Sequence, residues 1–194
     1  ASPSQAIEKL NQLKAIAPDC LEADKELAEV YYATNRFGKA ADTYAKFIDT
    51  PVATEDDILK YAFALFLNHD FEKSLAVAQK GLQKNARHAA FNRLVMYNNV
   101  DLKRYDAAEK AADAFFNASD NADYSCLDYR YHGALLSALK KYDQAIEEYG
   151  KALEKDESQV DLWREIADAY ELKNDYTQAI AAYKKYYDSL AQDK

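Results

Sequence analysis

Glycine and proline are scarce in this chain, with four of one and three of the other among 194 residues. A sandwich or barrel turns back every ten residues or so, and its turns draw on these two residue types. The scarcity argues against an all-β fold and favours a helix-rich one. Cysteine stops at Cys20 and Cys126, with no CxxC pair and no histidine spacing of a zinc site. Long apolar runs are missing too. The longest uncharged one, 61–67, is far short of the roughly 18 residues that span a bilayer. No cluster of basic residues exceeds local pairs such as Lys140-Lys141 and Lys184-Lys185, and the net charge is −8. Nucleic-acid binders draw most of their affinity from neutralising phosphates, so nucleic acid is not an expected partner. There is no glycine-rich phosphate loop, HExxH or GxSxG. The three histidines, His69, His88 and His132, are scattered. The expectation is therefore no enzyme, no catalytic residue, no metal and no cofactor. The first residue is Ala1 rather than Met and no signal peptide is visible, so residues upstream are expected to have been removed. The compartment is not readable.

What the chain does have is self-similarity. The segments Asn35-Arg36-Phe37-Gly38-Lys39-Ala40 and His69-Asp70-Phe71-Glu72-Lys73-Ser74 align with each other. Lys103-Arg104-Tyr105-Asp106-Ala107-Ala108, Lys140-Lys141-Tyr142-Asp143-Gln144-Ala145 and Asn174-Asp175-Tyr176-Thr177-Gln178-Ala179 follow the same pattern. Each places an aromatic three residues before a small residue, and the small residues are spaced by 34, 34, 37 and 34. Helical periodicity runs inside the units, as in Leu27 with Tyr31 and Ile58 with Ala62 and Leu65. Thr54 ahead of three acids, and Ser158 ahead of Asp161, read as helix starts.

This period and phase resemble the tetratricopeptide repeat family. The last unit carries Trp163, Ile166, Ala167, Tyr170, Ala179 and Tyr183 at the family's marker positions. The fourth carries Tyr129, Gly133, Leu136, Ala145, Tyr149 and Ala152. The first carries Leu27, Ala28, Tyr31, Ala40 and Tyr44, and the second Ile58, Ala62, Leu65 and Ser74. The resemblance implies an all-α, right-handed solenoid of stacked helix hairpins. Repeats are expected at 21–54, 55–88, 89–125 (with a three-residue loop insertion around Asn121 and Asp123), 126–159 and 160–194. Residues 1–20 form either a capping helix or the second half of a unit cut from a longer array. At the other end, the Ile180, Tyr183 and Tyr187 side is expected to lack a cover.

The third unit departs from the pattern, with Asn92, Met96 and Asn99 at marker positions. A one-residue shift brings in Phe91, Leu94, Val95 and Asn98 instead, and both registers stay open. Asn98 and Asn99 are either satisfied inside the packing or turned toward a partner.

The resemblance implies that the first helix of each unit lines a concave groove. Carried over by position, its inward residues include Leu59, Phe63 and Phe66 in the second unit and Arg93 and Tyr97 in the third. Arg130 and Tyr131 follow in the fourth and Arg164 in the fifth. The groove should be aromatic in its middle and acidic at both ends. Arg93, Arg130 and Arg164 share one repeat position. Arg164 has Asp161 and Asp168 within helical reach, whereas Arg93 and Arg130 have no acid three or four residues away. Two readings of these arginines stand: free to bind a partner carboxylate, or paired with a neighbouring helix. The positions at which one family subclass clamps chaperone C-termini hold Lys25, Glu29, Lys60, Ala90 and Leu94, and only the first fits. The leading function is a non-enzymatic scaffold that binds a protein or peptide of acidic or apolar character in the groove of the second to fourth units. The alternative is a structural spacer that self-associates through its open ends.

Overall fold

The computed structural model describes residues 2–120 and 122–192. Ala1, residues 193–194 and Asn121 of the expected insertion lie outside them. Among the described residues eleven α-helices follow one another: α1 (Pro3–Ile16), α2 (Leu21–Ala33), α3 (Phe37–Tyr44), α4 (Glu55–Leu67), α5 (Phe71–Lys84), α6 (Ala89–Asp101), α7 (Tyr105–Asp113), α8 (Cys126–Ala138), α9 (Tyr142–Lys155), α10 (Asp161–Leu172) and α11 (Tyr176–Gln192). A π-helical turn, Ala114–Ala118, extends α7. No strand occurs among the described residues, and no helix among them is long and apolar enough to cross a membrane. The fold is the all-α solenoid that the sequence implied.

Some helix starts are written in polar side chains, although Ser158 is not one of them, since α10 begins after Val160 without a side-chain cap. Ser2, Thr54 and Ser125 each form a reciprocal capping box with Gln5, Asp57 and Asp128, which satisfies backbone donors at the first turns of α1, α4 and α8. The turn within each hairpin is equally regular. Asn35, His69, Lys103, Lys140 and Asn174 all take positive φ, between 57° and 65°. The next amide in each case donates back to a carbonyl five residues earlier: Arg36 to Tyr31, Asp70 to Leu65, Arg104 to Asn99, Lys141 to Leu136 and Asp175 to Tyr170, at 2.8–2.9 Å. This is the Schellman closure, which reverses the chain in the fewest residues. A lysine in the left-handed region carries a steric penalty that glycine escapes, about 1–2 kcal/mol. Lys140→Gly should therefore raise stability by about 1 kcal/mol, because glycine's greater freedom in the unfolded chain offsets part of the relief. Urea unfolding followed by circular dichroism measures it, and an unchanged midpoint would refute the strain at this turn.

Small residues sit where the two helices of a hairpin cross. Ala28, Ala62 and Ala167 on the first helices, and Ala40, Ser74, Ala108 and Ala145 on the second, have no exposed surface. Bulk is traded across the crossing. Gly133 on α8 lies under the ring of Tyr149 on α9, so close that a β-carbon would sit 2.6 Å from the ring. In the α6–α7 hairpin the sizes are exchanged, with Met96 on the first helix and Ala112 on the second, both in one core cluster. The register question in α6 has no single answer, because this central helix is buried almost all round. Phe91, Asn92, Leu94, Met96, Tyr97, Asn98 and Asn99 are all in the core. The asparagines are packed, not turned to a partner. Asn98 Nδ2 donates to Ser74 Oγ at 2.9 Å and to the Leu94 carbonyl at 2.8 Å, and Asn99 Nδ2 donates to the Val95 carbonyl.

Two rows of helices result. Neighbours touch in the row of α4, α6 and α8, whereas α5 and α7 pack on α6 and α8 rather than on each other. A row held closer on one side curves toward that side, so this inner row lines the concave face.

Candidate partner-binding groove

The inner row carries a run of aromatics from α4 to α8. Phe66, Tyr97 and Tyr131 meet with ring centroids 5.6 Å apart for Phe66 and Tyr97 and 6.2 Å for Phe66 and Tyr131. Tyr97 and Tyr131 are stacked, 4.0 Å apart. The sequence positions therefore converge in space, but several converge beneath the surface. Tyr97 is only 2% exposed and Phe66 is also buried. Leu59 and Phe63 are half-buried and pack on the same cluster. Burial and a nearby carboxylate push the Tyr97 phenol up, because its hydroxyl donates to Asp128 Oδ1 at 2.7 Å.

The arginines are committed within the fold. Arg93 grips Asp128 with Nε at 2.7 Å and Nη2 at 3.1 Å, and Nη2 also donates to the Asp123 carbonyl. Arg130 donates through Nε and Nη2 to Glu165 Oε1, at 2.9 and 2.5 Å. Of the two readings left open, pairing with the next first helix is the one the geometry supports. An acid lies 35 residues downstream of each arginine, about one repeat later, beyond the reach of same-helix arithmetic. Arg164 is exposed, with Asp168 at 3.8 Å. Lys25–Asp57 and Lys60–Glu29 do the same between α2 and α4, so ion pairs tie α2 to α4, α6 to α8 and α8 to α10 along the inner row.

One cleft opens on this face. It lies between α6, α8 and α10, holds about 340 Å3, and is walled by Val100, Leu127, Ala134 and the Tyr131 ring. Asp101, Arg130 and Glu165 supply its charged groups. It exists because the aromatic run stops at α8: α10 packs on α9 and makes little contact with α8. Tyr131 donates its hydroxyl to Asp101 Oδ2 at 2.8 Å. Burial holds the Asp101 carboxyl above its ordinary range, and the Tyr131 hydrogen bond only partly offsets this. Sequence reasoning reached Arg130 and Tyr131 but missed Asp101 and Glu165.

Larger clefts lie elsewhere. One of about 600 Å3 separates α9 from α11 over α10, with Trp163 and Ile166 in its lining and Lys185 4.1 Å above the Trp163 ring. This dimple between second helices is where the family's tryptophan position packs, and it lies on the outer row. Another, of about 620 Å3, lies beside the loop that joins α7 to α8 and is lined by His88, Arg93, Asp120 and Asp123.

The geometry defines a class: a helical-hairpin solenoid with a groove along its inner row. The comparisons place it more closely. Residues 132–194 match the family model described as tetratricopeptide repeat. No curated protein matches the sequence. Among solved structures, MamA designated MSR-1 C2 superposes with a TM-score of 0.74 at 15% identity, over 90% of this chain and 98% of that one. "MamA 41-end from Desulfovibrio magneticus RS-1" gives a TM-score of 0.76 at 14% identity, over 89% of this chain and 96% of that one. "Crystal structure of MamA protein" gives 0.72 at 18%, over 87% and 91%. At such identities the likeness is one of fold. The tetratricopeptide class serves in general as a non-enzymatic scaffold for protein interaction.

Proposed function

We propose that the chain is a non-enzymatic scaffold that holds a protein segment on its inner row, centred on the cleft between α6, α8 and α10. The observation that carries this reading is Leu127, an apolar side chain 44% exposed beside that cleft on the face the first helices line. Exposed apolar surface next to aromatic walls is the composition of interface centres. The bound segment need not be acidic, since Arg93 and Arg130 already have carboxylates.

A second reading rests on the ends. Ile180 is 69% exposed and Tyr187 64%, on the outer side of α11, and Leu13 and Ile16 are exposed on α1. Stacked hairpins leave such faces wherever stacking stops, and a second copy would cover them by continuing the array. One experiment separates the two. A photo-crosslinking residue is placed at position 127, at 180, or at the outward-facing Glu147 as control, in cells of the source organism. The groove reading expects a heterologous adduct from 127 and none from 147. Adducts from 180 alone, at twice the chain's mass, would replace it with self-association.

A further inference from the structure

The charge of the cleft between α6, α8 and α10 specifies its occupant. Three ionisable side chains with full charges line it: Asp101, Arg130 and Glu165. Arg130 spends both of its recorded hydrogen bonds on Glu165 Oε1. The other oxygen of that carboxylate, Oε2, is buried without a donor. Asp101 receives only a neutral hydroxyl, from Tyr131, and no cation lies within ion-pair distance among the described residues. His69 is the charged-capable neighbour that acts on it, from the turn between α4 and α5. Asp101 is also the last residue of α6, where the helix presents its unpaired carbonyls and its negative end. The cleft thus holds one more negative charge than positive. Val100, Leu127, Ala134 and the Tyr131 ring wall it with hydrocarbon.

A largely apolar cleft that also holds an unneutralised carboxylate matches a long aliphatic chain with a cationic tip. Acidic or purely apolar side chains match less well. The first would meet Asp101 and Glu165, and the second would leave Asp101 further desolvated without a partner. We propose that this cleft receives a lysine or arginine side chain of the bound protein segment, with its stem along Leu127 and Val100 and its charge on Asp101. This deepens the groove reading and rests on it. It also reverses the charge of partner that the free-arginine reading implied.

The probes are fluorescein-labelled nine-residue peptides, leucine-flanked, with lysine, arginine, norleucine or glutamate at the centre. Binding is followed by anisotropy, and the contacted residues by amide chemical shifts of the labelled chain. Lysine and arginine peptides should bind roughly tenfold tighter than norleucine or glutamate ones, because a charge-assisted hydrogen bond is at stake. The preference should weaken as salt rises and disappear in Asp101→Asn. Asparagine keeps an acceptor for Tyr131 and removes a charge that the helix end disfavours, so this variant should melt no lower than the wild type. Norleucine or glutamate peptides that shift Leu127 and Ala134 as tightly as lysine would overturn the cation assignment and leave the groove reading standing. An Asp101→Asn variant that melts normally and keeps the lysine preference would overturn it too. If no peptide shifts these amides, the cation assignment falls, and crosslinking at position 127 decides the groove reading separately.

Discussion

Replacing Asp128 with alanine is expected to destabilise the chain by about 3–5 kcal/mol, the range for breaking a buried ion pair from one side. Asp128 has no exposed surface. Its two oxygens accept from Arg93 Nε and Nη2, from Tyr97 Oη, and from the Ser125 amide and hydroxyl, at 2.7–3.1 Å. Alanine removes the reciprocal half of the α8 capping box, leaves the buried Tyr97 hydroxyl without an acceptor, and leaves Arg93 half-enclosed without its counter-charge. For a chain of this length the melting temperature should fall by on the order of 10 °C. Arg93→Ala should be milder, since the carboxylate keeps three of its five donors. Denaturant melts of both variants measure the difference. A loss below 1 kcal/mol in Asp128→Ala would mean that the cluster contributes little beyond the surrounding core.

The second large effect concerns glycines that share a helical setting and differ in what lies above them. A β-carbon at Gly133 would stand 2.6 Å from two ring atoms of Tyr149, which is 4% exposed and has no room to withdraw. Overpacking of this depth costs about 3 kcal/mol. Alanine's better helix propensity returns about 1 kcal/mol, so Gly133→Ala should lower stability by about 2 kcal/mol. Gly150, in the same hairpin, has nothing within 4 Å of its would-be β-carbon. There propensity acts alone, and Gly150→Ala should raise stability by about 0.5–1 kcal/mol. Adding Tyr149→Leu to Gly133→Ala should show a favourable coupling in a double-mutant cycle. Equal effects at the two glycines would refute the close crossing of α8 and α9.

The sequence made the fold legible through two signals that repeat together. Small residues at 40, 74, 108, 145 and 179 mark the helix crossings, and each lies five residues after a positive-φ turn residue. The turns themselves escaped notice as backbone features because Asn, His and Lys occupy them where glycine would have been conspicuous. Two of the four glycines, Gly81 and Gly133, lie instead under the rings of Phe91 and Tyr149 on neighbouring helices. The groove was only half legible. Its aromatic middle followed from position, but the burial of Tyr97 did not, because α6 is surrounded on nearly every side. The partners of the groove's arginines stayed open in the sequence for a physical reason. A same-helix search for partners sees three or four residues either way, whereas a solenoid brings residue i beside residue i plus one repeat. Asp128 and Glu165 were visible at that distance, had the search used the repeat period.

The inner-row ion pairs also have a mechanical meaning. Each hairpin packs on the next through its second helix as well as along the inner row, so tension applied along the array loads those joints in series. At the joint between α8 and α10, where the first helices touch little, Arg130–Glu165 bridges the cleft. A change in the spacing of these two first helices would be borne by that ion pair, while α9 keeps the two hairpins packed.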